Sequence, residues 1–250
     1  MVVVPKMLMQ EAWSLKLDWD QELPKELKEK FWDWYEELEY IKAVRIPRNM
    51  TGGRKMEFPE LHLFTDASKD AYAAVVYLRN RNSVQLVQAK SRVAPMKKAT
   101  IPRLELLGCA IGARLLANVK KAFGYEEVPV YCWTDSSTAL AWIRRNDEWG
   151  TFVGNRVKEI CRLTPVESWN HVPGIKNPAD LPSRGCTPKE LLESRWWEGP
   201  EWLKGSRNDW PKLEVQFDEN AILAEKKKSA VTAMLHLEPG PIWYVKFSNF

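Results

Sequence analysis

Cysteine and histidine are scarce in this chain: four Cys (Cys109, Cys132, Cys161, Cys186) and three His (His62, His171, His236) in 250 residues. No two cysteines stand as C-x-x-C, and this argues against both a zinc site and a disulfide framework. Cys109 and Cys132 lie in apolar runs, where a free thiol serves as a small core residue. No D-[ST]-G triplet occurs, since Asp135-Ser136-Ser137 lacks the glycine, so an aspartic peptidase is not expected. A polymerase-type adjacent acid pair is also missing. No apolar run is long enough to span a bilayer, and Met1–Gln10 is too short and wrongly flanked for a signal peptide. The default expectation is an intracellular, reducing setting, cytoplasmic or nuclear, with no membrane partner.

Apolar residues make up 45% of the chain, enough for a real core, and tryptophan is frequent, with 13 residues from Trp13 to Trp243. Most tryptophans are core residues, and Trp133, Trp142 and Trp169 are expected there. The net charge of +4 conceals a division. Residues 1–60 carry 10 basic and 12 acidic side chains, residues 61–186 carry 18 and 11, and residues 187–250 carry 9 and 10. The middle is therefore basic. A basic body around an acidic pit suits a polyanion held to metal ions, while an ordinary solvated basic surface explains the charge equally well.

Met7 to Ala43 reads as mostly helical, with Pro24 opening a charged helix whose Leu27, Phe31, Trp34 and Leu38 fall at helical spacing. Thr51-Gly52-Gly53 marks a loop and a boundary. Strands then follow at 61–68, 71–79 and 84–91, with gaps short enough for an antiparallel meander. A helix comes next, capped by Thr100, with Pro102 in its first turn. Leu104, Leu107, Ile111, Leu115 and Val119 mark its buried face. Gly108 and Gly112 would let it lie close on the sheet, and Gly124 ends it. A fourth strand is expected over 128–135, helices over 136–145 and 152–162, and a fifth strand over 166–172. Asp180 lies on a short helical turn that Pro182 keeps short. Thr187 to Ser194 can form a helix, and 211–250 reads as linker. The order of elements describes an α/β domain with a mixed sheet.

Four acids stand out against this pattern: Asp66, Glu105, Asp135 and Asp180. Taken singly, Asp66, Asp135 and Asp180 read as turn or cap residues, and Glu105 as a favourable charge near a helix N-terminus. If the first and fourth strands are neighbours, all four can converge. Carboxylates on adjacent strands repel, and folded proteins accept this mainly where a cation lies between them. Four carboxylates with no His or Cys partner are hard-oxygen ligands for Mg²⁺ or Mn²⁺. Two such ions roughly 4 Å apart can serve the attacking water and the leaving oxygen of a phosphodiester.

The wording of these segments is specific. Thr65-Asp66-Ala67-Ser68, then T-I-P-R-L-E-L from Thr100, then Thr134-Asp135-Ser136, then Asn177-Pro178-Ala179-Asp180 resembles the ribonuclease H family over about 61–186. L-H-L-F-T-D-A-S, P-R-L-E-L-L-G, W-T-D-S and H-V-P-G-I-K-N-P-A-D-L-P-S-R-G are similar to the ribonuclease H part of BEL/Pao LTR-retrotransposon polyproteins, the Pao retrotransposon peptidase region. M-L-M-Q-E-A-W-S-L-K-L-D-W-D resembles the segment joining reverse transcriptase to ribonuclease H there, and W-Y-V-K-F-S-N-F resembles the linker ahead of integrase.

The resemblance implies a ribonuclease H-like fold with a five-stranded mixed sheet, three antiparallel strands then two parallel, flanked by helices. It implies three parts: a connection-like helical segment over 1–60, the ribonuclease H-like domain over 61–186, and a Trp-rich extension and linker over 187–250. By the same resemblance Asp66, Glu105, Asp135 and Asp180 are the catalytic, metal-binding acids, with two Mg²⁺ or Mn²⁺ ions. Ser68, Thr100, Arg103 and Ser136 approach the nucleic acid, and Lys97-Lys98 lie just before the Glu105 helix. The implied activity is endonucleolytic hydrolysis of the RNA strand of RNA–DNA hybrids, with reverse-transcriptase and integrase regions of a parent polyprotein as partners. The alternative is a catalytically weak or inactive nucleic-acid-binding remnant of the same polyprotein. Two departures from the family pattern are visible. His171 stands in H-V-P-G at the strand end, where many cellular members carry H-x-G in a loop, and it reads as a strand-end residue rather than a catalyst. Pro182 cuts the last helix short.

Overall fold

The computed structural model of the chain describes residues 1–46, 58–81, 83–97, 99–124, 127–212 and 215–227. The expected boundary at Thr51-Gly52-Gly53, Lys98 and the tail from Lys228 onward lie outside these residues.

Three apolar segments form the antiparallel meander: β1 (Pro59–Ala67), β2 (Ala71–Asn80) and β3 (Ser83–Val93). β1 and β2 are buried along almost their whole length, whereas β3 is partly exposed. β4 (Val130–Thr134) then pairs in parallel with the other side of β1, from Leu61↔Val130 to Thr65↔Thr134. β5 (Trp169–His171) adds in parallel to β4. The strand order is β3-β2-β1-β4-β5, so the expected mixed sheet of three antiparallel and two parallel strands forms, with β1 at its centre. β5 is shorter than the expected 166–172. After Pro165 the chain makes a 3₁₀ turn over Val166–Ser168, closed by the Ser168 hydroxyl on the Pro165 carbonyl (2.6 Å).

One face of the sheet is covered by α3 (Ile101–Phe123), with α4 (Ser137–Arg144) and α5 (Thr151–Leu163) beside it. Leu104, Leu115 and Val119 are buried as their spacing predicts. The helix lies close because two positions carry no side chain. A Cβ at Gly112 would meet Thr65 Cγ2 at 2.7 Å and Leu63 Cδ1 at 3.0 Å, and one at Gly108 would meet the Asp66 carbonyl at 3.1 Å. Thr100 takes the extended conformation of an N-cap, but its side chain makes no capping hydrogen bond. Pro102, at the second helical position, brings no N–H for it to accept.

The opposite face is covered by the extension. Phe64, Val75, Tyr77, Trp133 and Val172 pack beneath Trp196, Trp202, Leu203 and Trp210. The backbone of this segment is tied to the sheet: Tyr77 Oη donates to the Trp196 carbonyl (2.8 Å), and Arg79 donates to the carbonyls of Leu203 (2.8 Å) and Gly205 (2.9 Å). Arg79 also holds Glu60 (2.7 Å), which Arg207 contacts from the extension. Burial pushes the Glu60 carboxyl up, but hydrogen bonds from His62, Arg207 and Arg79 outweigh it and bring it to about 2. Burial lowers His62 to about 4, and its imidazole stacks on Tyr131 (4.9 Å) and accepts from Trp133 Nε1 (3.3 Å).

The segment expected as linker is also packed where it is described. α9 (Glu219–Leu223) follows α6 (Asp180–Arg184), α7 (Pro188–Ser194) and α8 (Glu201–Lys204), and it buries Ile222 completely. Trp142 Nε1 donates to the Ile222 carbonyl (3.1 Å), the Gly150 amide to the Glu225 carbonyl (2.7 Å), and the Lys227 amide to the Glu148 carbonyl (2.8 Å). A five-residue helix has too few turns to show a period, so sequence pattern passed it over. At the other end, α1 (Val3–Ser14) buries Val3 and donates from Gln10 to the Ala94 carbonyl (2.7 Å) just beyond β3. α2 (Lys25–Glu36) buries only Leu27 and leaves Trp32 and Tyr35 exposed.

Candidate active site

The parallel pairing of β1 and β4 brings two acids together. Thr65 faces Thr134 in the ladder, so Asp66, the next residue of β1, and Asp135, the residue after β4, leave the same end of the sheet side by side. α3 begins at Ile101, which puts Glu105 in its second turn, and Glu105 is buried. The close approach allowed by Gly108 and Gly112 carries it to the strand ends. One carboxylate oxygen from each of Asp66, Glu105 and Asp135 lies within 4.8 Å of the others.

The electrostatics of this cluster are unfavourable without a counter-charge. Burial first, then repulsion from Asp135 and Asp66, pushes the Glu105 carboxyl up to about 10. Asp135 is raised by burial and by Asp66, and Asp66 is raised chiefly by burial. Glu105 Oε2 and Asp135 Oδ1 are buried with no hydrogen-bond partner among the described residues. Buried polar atoms are normally satisfied. Two orphaned oxygens converging with a third carboxylate, in an all-oxygen donor set, fit a hard divalent cation.

Asp180 stands apart from the other three. It opens α6, is half-exposed, and pairs with Arg184 one turn on. It is absent from the three-acid cluster, although its charge still raises Asp66 and Glu105. The chain before it wraps the site. His171 Nε2 lies 3.2 Å from the Asp135 carbonyl, to which it donates, and burial lowers the ring's pKa. A Cβ at Gly174 would lie 3.1 Å from Asp135 Oδ2, so glycine leaves that oxygen uncovered. Asn177, buried, donates to the Thr65 carbonyl (3.0 Å) and accepts from the Ala179 amide (3.1 Å). Ser183, fully buried, donates to Asp66 Oδ2. Gly174 and Ser183 were not singled out from sequence and Asn177 was read only as part of the N-P-A-D element, although all three stand inside the H-V-P-G-I-K-N-P-A-D-L-P-S-R-G string.

The residues expected to approach nucleic acid are mostly engaged elsewhere. Ser68 closes the β1–β2 turn, accepting from the amides of Asp70 (3.2 Å) and Ala71 (3.1 Å) and donating to the Ser183 carbonyl (2.9 Å). Ser136 caps α4 through the Ala139 amide (3.2 Å). Arg103 is held by both oxygens of Glu225 (2.6 and 3.0 Å) and lies over the Phe152 ring. Thr100 is exposed at the start of α3, as is Lys97 just before it. Ile175, 98% exposed, stands in the loop over Asp135.

A sequence model of the Pao retrotransposon-like RNaseH-like domain matches residues 1–136, a span that includes Asp66, Glu105 and Asp135. No curated protein matches the chain. Among solved structures, the N-terminal RNase H domain of rv2228c from Mycobacterium tuberculosis, solved as a fusion with maltose binding protein, is 14% identical. That match covers 54% of this chain and 97% of that one, with a TM-score of 0.39. RNase H1 from Halobacterium salinarum is 15% identical over 55% of this chain and 99% of that one, with a TM-score of 0.36. LC11-RNase H1, solved in complex with an RNA/DNA hybrid, is 15% identical over 53% and 99%, with a TM-score of 0.39.

Proposed function

Because the chain belongs to the Pao retrotransposon-like RNaseH-like domain family, we propose that it is a metal-dependent endonuclease hydrolysing the RNA strand of RNA–DNA hybrids within a retrotransposon reverse-transcription polyprotein. The observation that carries this reading is the convergence of Asp66, Glu105 and Asp135 from β1, α3 and β4, with two of their oxygens buried and unpartnered. These three side chains would hold Mg²⁺ or Mn²⁺, with Asp180 as a fourth acid at the rim. When bound, such ions lower the pKa of an attacking water and stabilise charge on the leaving oxygen. The protein's own part is positional. His171 fixes the Asp135 backbone, Asn177 ties the loop before Asp180 to β1, and Gly174 keeps Asp135 accessible. A hybrid is read by shape and 2′-hydroxyls rather than base sequence, and the products would carry 3′-hydroxyl and 5′-phosphate ends. The 1–60 segment and the tail would join reverse-transcriptase and integrase regions. Among the described residues no helix is long and apolar enough to cross a membrane.

A second reading, a weak or inactive hybrid-binding remnant, gains support from one feature: Ser68, Arg103 and Ser136 already hold protein partners. Cleavage of a labelled RNA–DNA hybrid with Mg²⁺ or Mn²⁺, with and without chelator, separates the two. Asp135→Asn is expected to abolish cleavage while hybrid binding persists. In chelator the same variant should melt higher than wild type, because the buried charge facing Asp66 is gone. Unchanged turnover in Asp135→Asn would count against the enzyme reading.

A further inference from the structure

We propose that Ser183 is a positioning residue for Asp66: its hydroxyl, carried by the short helix α6, fixes the rotation of that carboxylate within the three-acid cluster. The proposal rests on the metal-site reading above. Ser183 is the one fully buried residue of α6, and its Oγ lies against Asp66 Oδ2. The same Oγ lies 2.9 Å from the Asp180 carbonyl. A hydroxyl has one proton to give, and a hydrogen bond to a carboxylate is about twice as strong as one to a neutral acceptor. The proton therefore goes to Asp66.

Asp66 differs in this from its neighbours. Glu105 and Asp135 each keep a buried oxygen without a partner, while Asp66 has one oxygen committed to a hydroxyl. A ligand whose one oxygen is held by a fixed donor loses rotational freedom before any cation arrives. Ser183 is itself held. Ser68 donates to its carbonyl (2.9 Å), and the Ser68 oxygen accepts from the amides of Asp70 and Ala71, which fixes it in the β1–β2 turn. Two serines thus close a ring from Asp66 through Ser68 to Ser183 and back to Asp66. A five-residue helix interrupted by Pro182 cannot hold its own orientation. The ring supplies what helix length would otherwise supply.

The test uses the full chain stripped with chelator and titrated with Mn²⁺ by calorimetry, followed by melting with and without the ion. Ser183→Ala is expected to weaken Mn²⁺ binding about 10- to 100-fold, with the melting temperature in chelator close to wild type and the KM for hybrid unchanged. Equal Mn²⁺ affinity in wild type and Ser183→Ala overturns the proposal alone. Wild type that takes up no Mn²⁺ overturns the metal-site reading and the proposal with it, whereas uptake without hybrid cleavage overturns only the assigned activity. If Ser183→Ala does not fold, Ser183→Cys decides. It is nearly isosteric and donates weakly, so a folded cysteine variant with wild-type Mn²⁺ affinity overturns the proposal, and one with several-fold weaker affinity supports it.

Discussion

The two faces of the sheet are closed by different means. On one, α3 lays aliphatic side chains at helical spacing against Leu61, Leu63 and Val76, and reaches the strands through Gly108 and Gly112. On the other, Trp196, Trp202, Leu203 and Trp210 arrive on short helical turns and the links between them, and are held by Arg79, Tyr77 and the Glu60 pairings. The helical face brings an acid to the site; the aromatic face brings none. Its titratable groups are shifted to the acid side, Glu60 to about 2 and His62 to about 4, while Glu105 is raised to about 10. Above neutral pH one face therefore supplies stability that changes little with pH, because His62 is neutral there in both the folded and the unfolded chain, and the other places a crowded, titratable cluster.

The largest test of this contrast is Trp210→Ala. Trp210 is 9% exposed and touches Tyr131, Trp133, Trp202 and His62. Its loss should cost about 3–5 kcal/mol, read as a lower urea midpoint, with Mn²⁺ affinity little changed. A fall in metal affinity matching the fall in stability would mean the faces are not separable.

The second test is pH. The Glu105 carboxyl is raised on folding, so the unfolded chain releases that proton near the ordinary carboxylate value while the folded chain keeps it until about pH 10. Between those values the folded state holds more protons, and stability must fall as pH rises, by about 1.4 kcal/mol per pH unit for one proton. Metal-free protein should thus lose stability from pH 7.5 to pH 9, above the range in which His62 and Asp135 titrate. Glu105→Gln should flatten the slope, whereas Trp210→Ala should leave it alone. A steep slope persisting in Glu105→Gln would break the assignment of the pH response to Glu105.

The smallest effect is expected from Gly112→Ala. The added methyl would press on Thr65 and Leu63 and lift α3 from β1, costing about 1–3 kcal/mol. Because Glu105 rides on that helix, hybrid cleavage should fall further than stability alone explains. Cleavage at the wild-type rate would show that α3 can shift without moving the site.

The same contrast explains what the amino-acid sequence made legible. Alternating strands, the periodic α3 and its two glycines all leave regular signatures, and Asp66, Glu105 and Asp135 could be placed because each is fixed to a regular element. The aromatic cover has no period to read: a run of Trp, Gly and Pro with one four-residue helix has the composition of a linker. α9 was hidden for the same reason. Partners distant in sequence were hidden too. Nothing near Arg103 announces Glu225, and nothing near Asp66 announces Ser183, since both pairings depend on where short segments return to the sheet. Asp180 stays at the rim because its helix is short and its carboxylate has a nearby arginine.

The central place of β1 also sets a timetable. Its antiparallel neighbour β2 follows at once along the chain, but its parallel neighbour β4 comes only after all of α3. During synthesis the hairpin can close before either Glu105 or Asp135 has arrived, and the crowding of negative charge begins when α3 docks and is completed by β4. Contacts between distant segments are the slow ones to form. The nascent chain thus gains its easy pairing early and meets its electrostatic opposition late, with the serine ring and the tryptophan cover still to emerge.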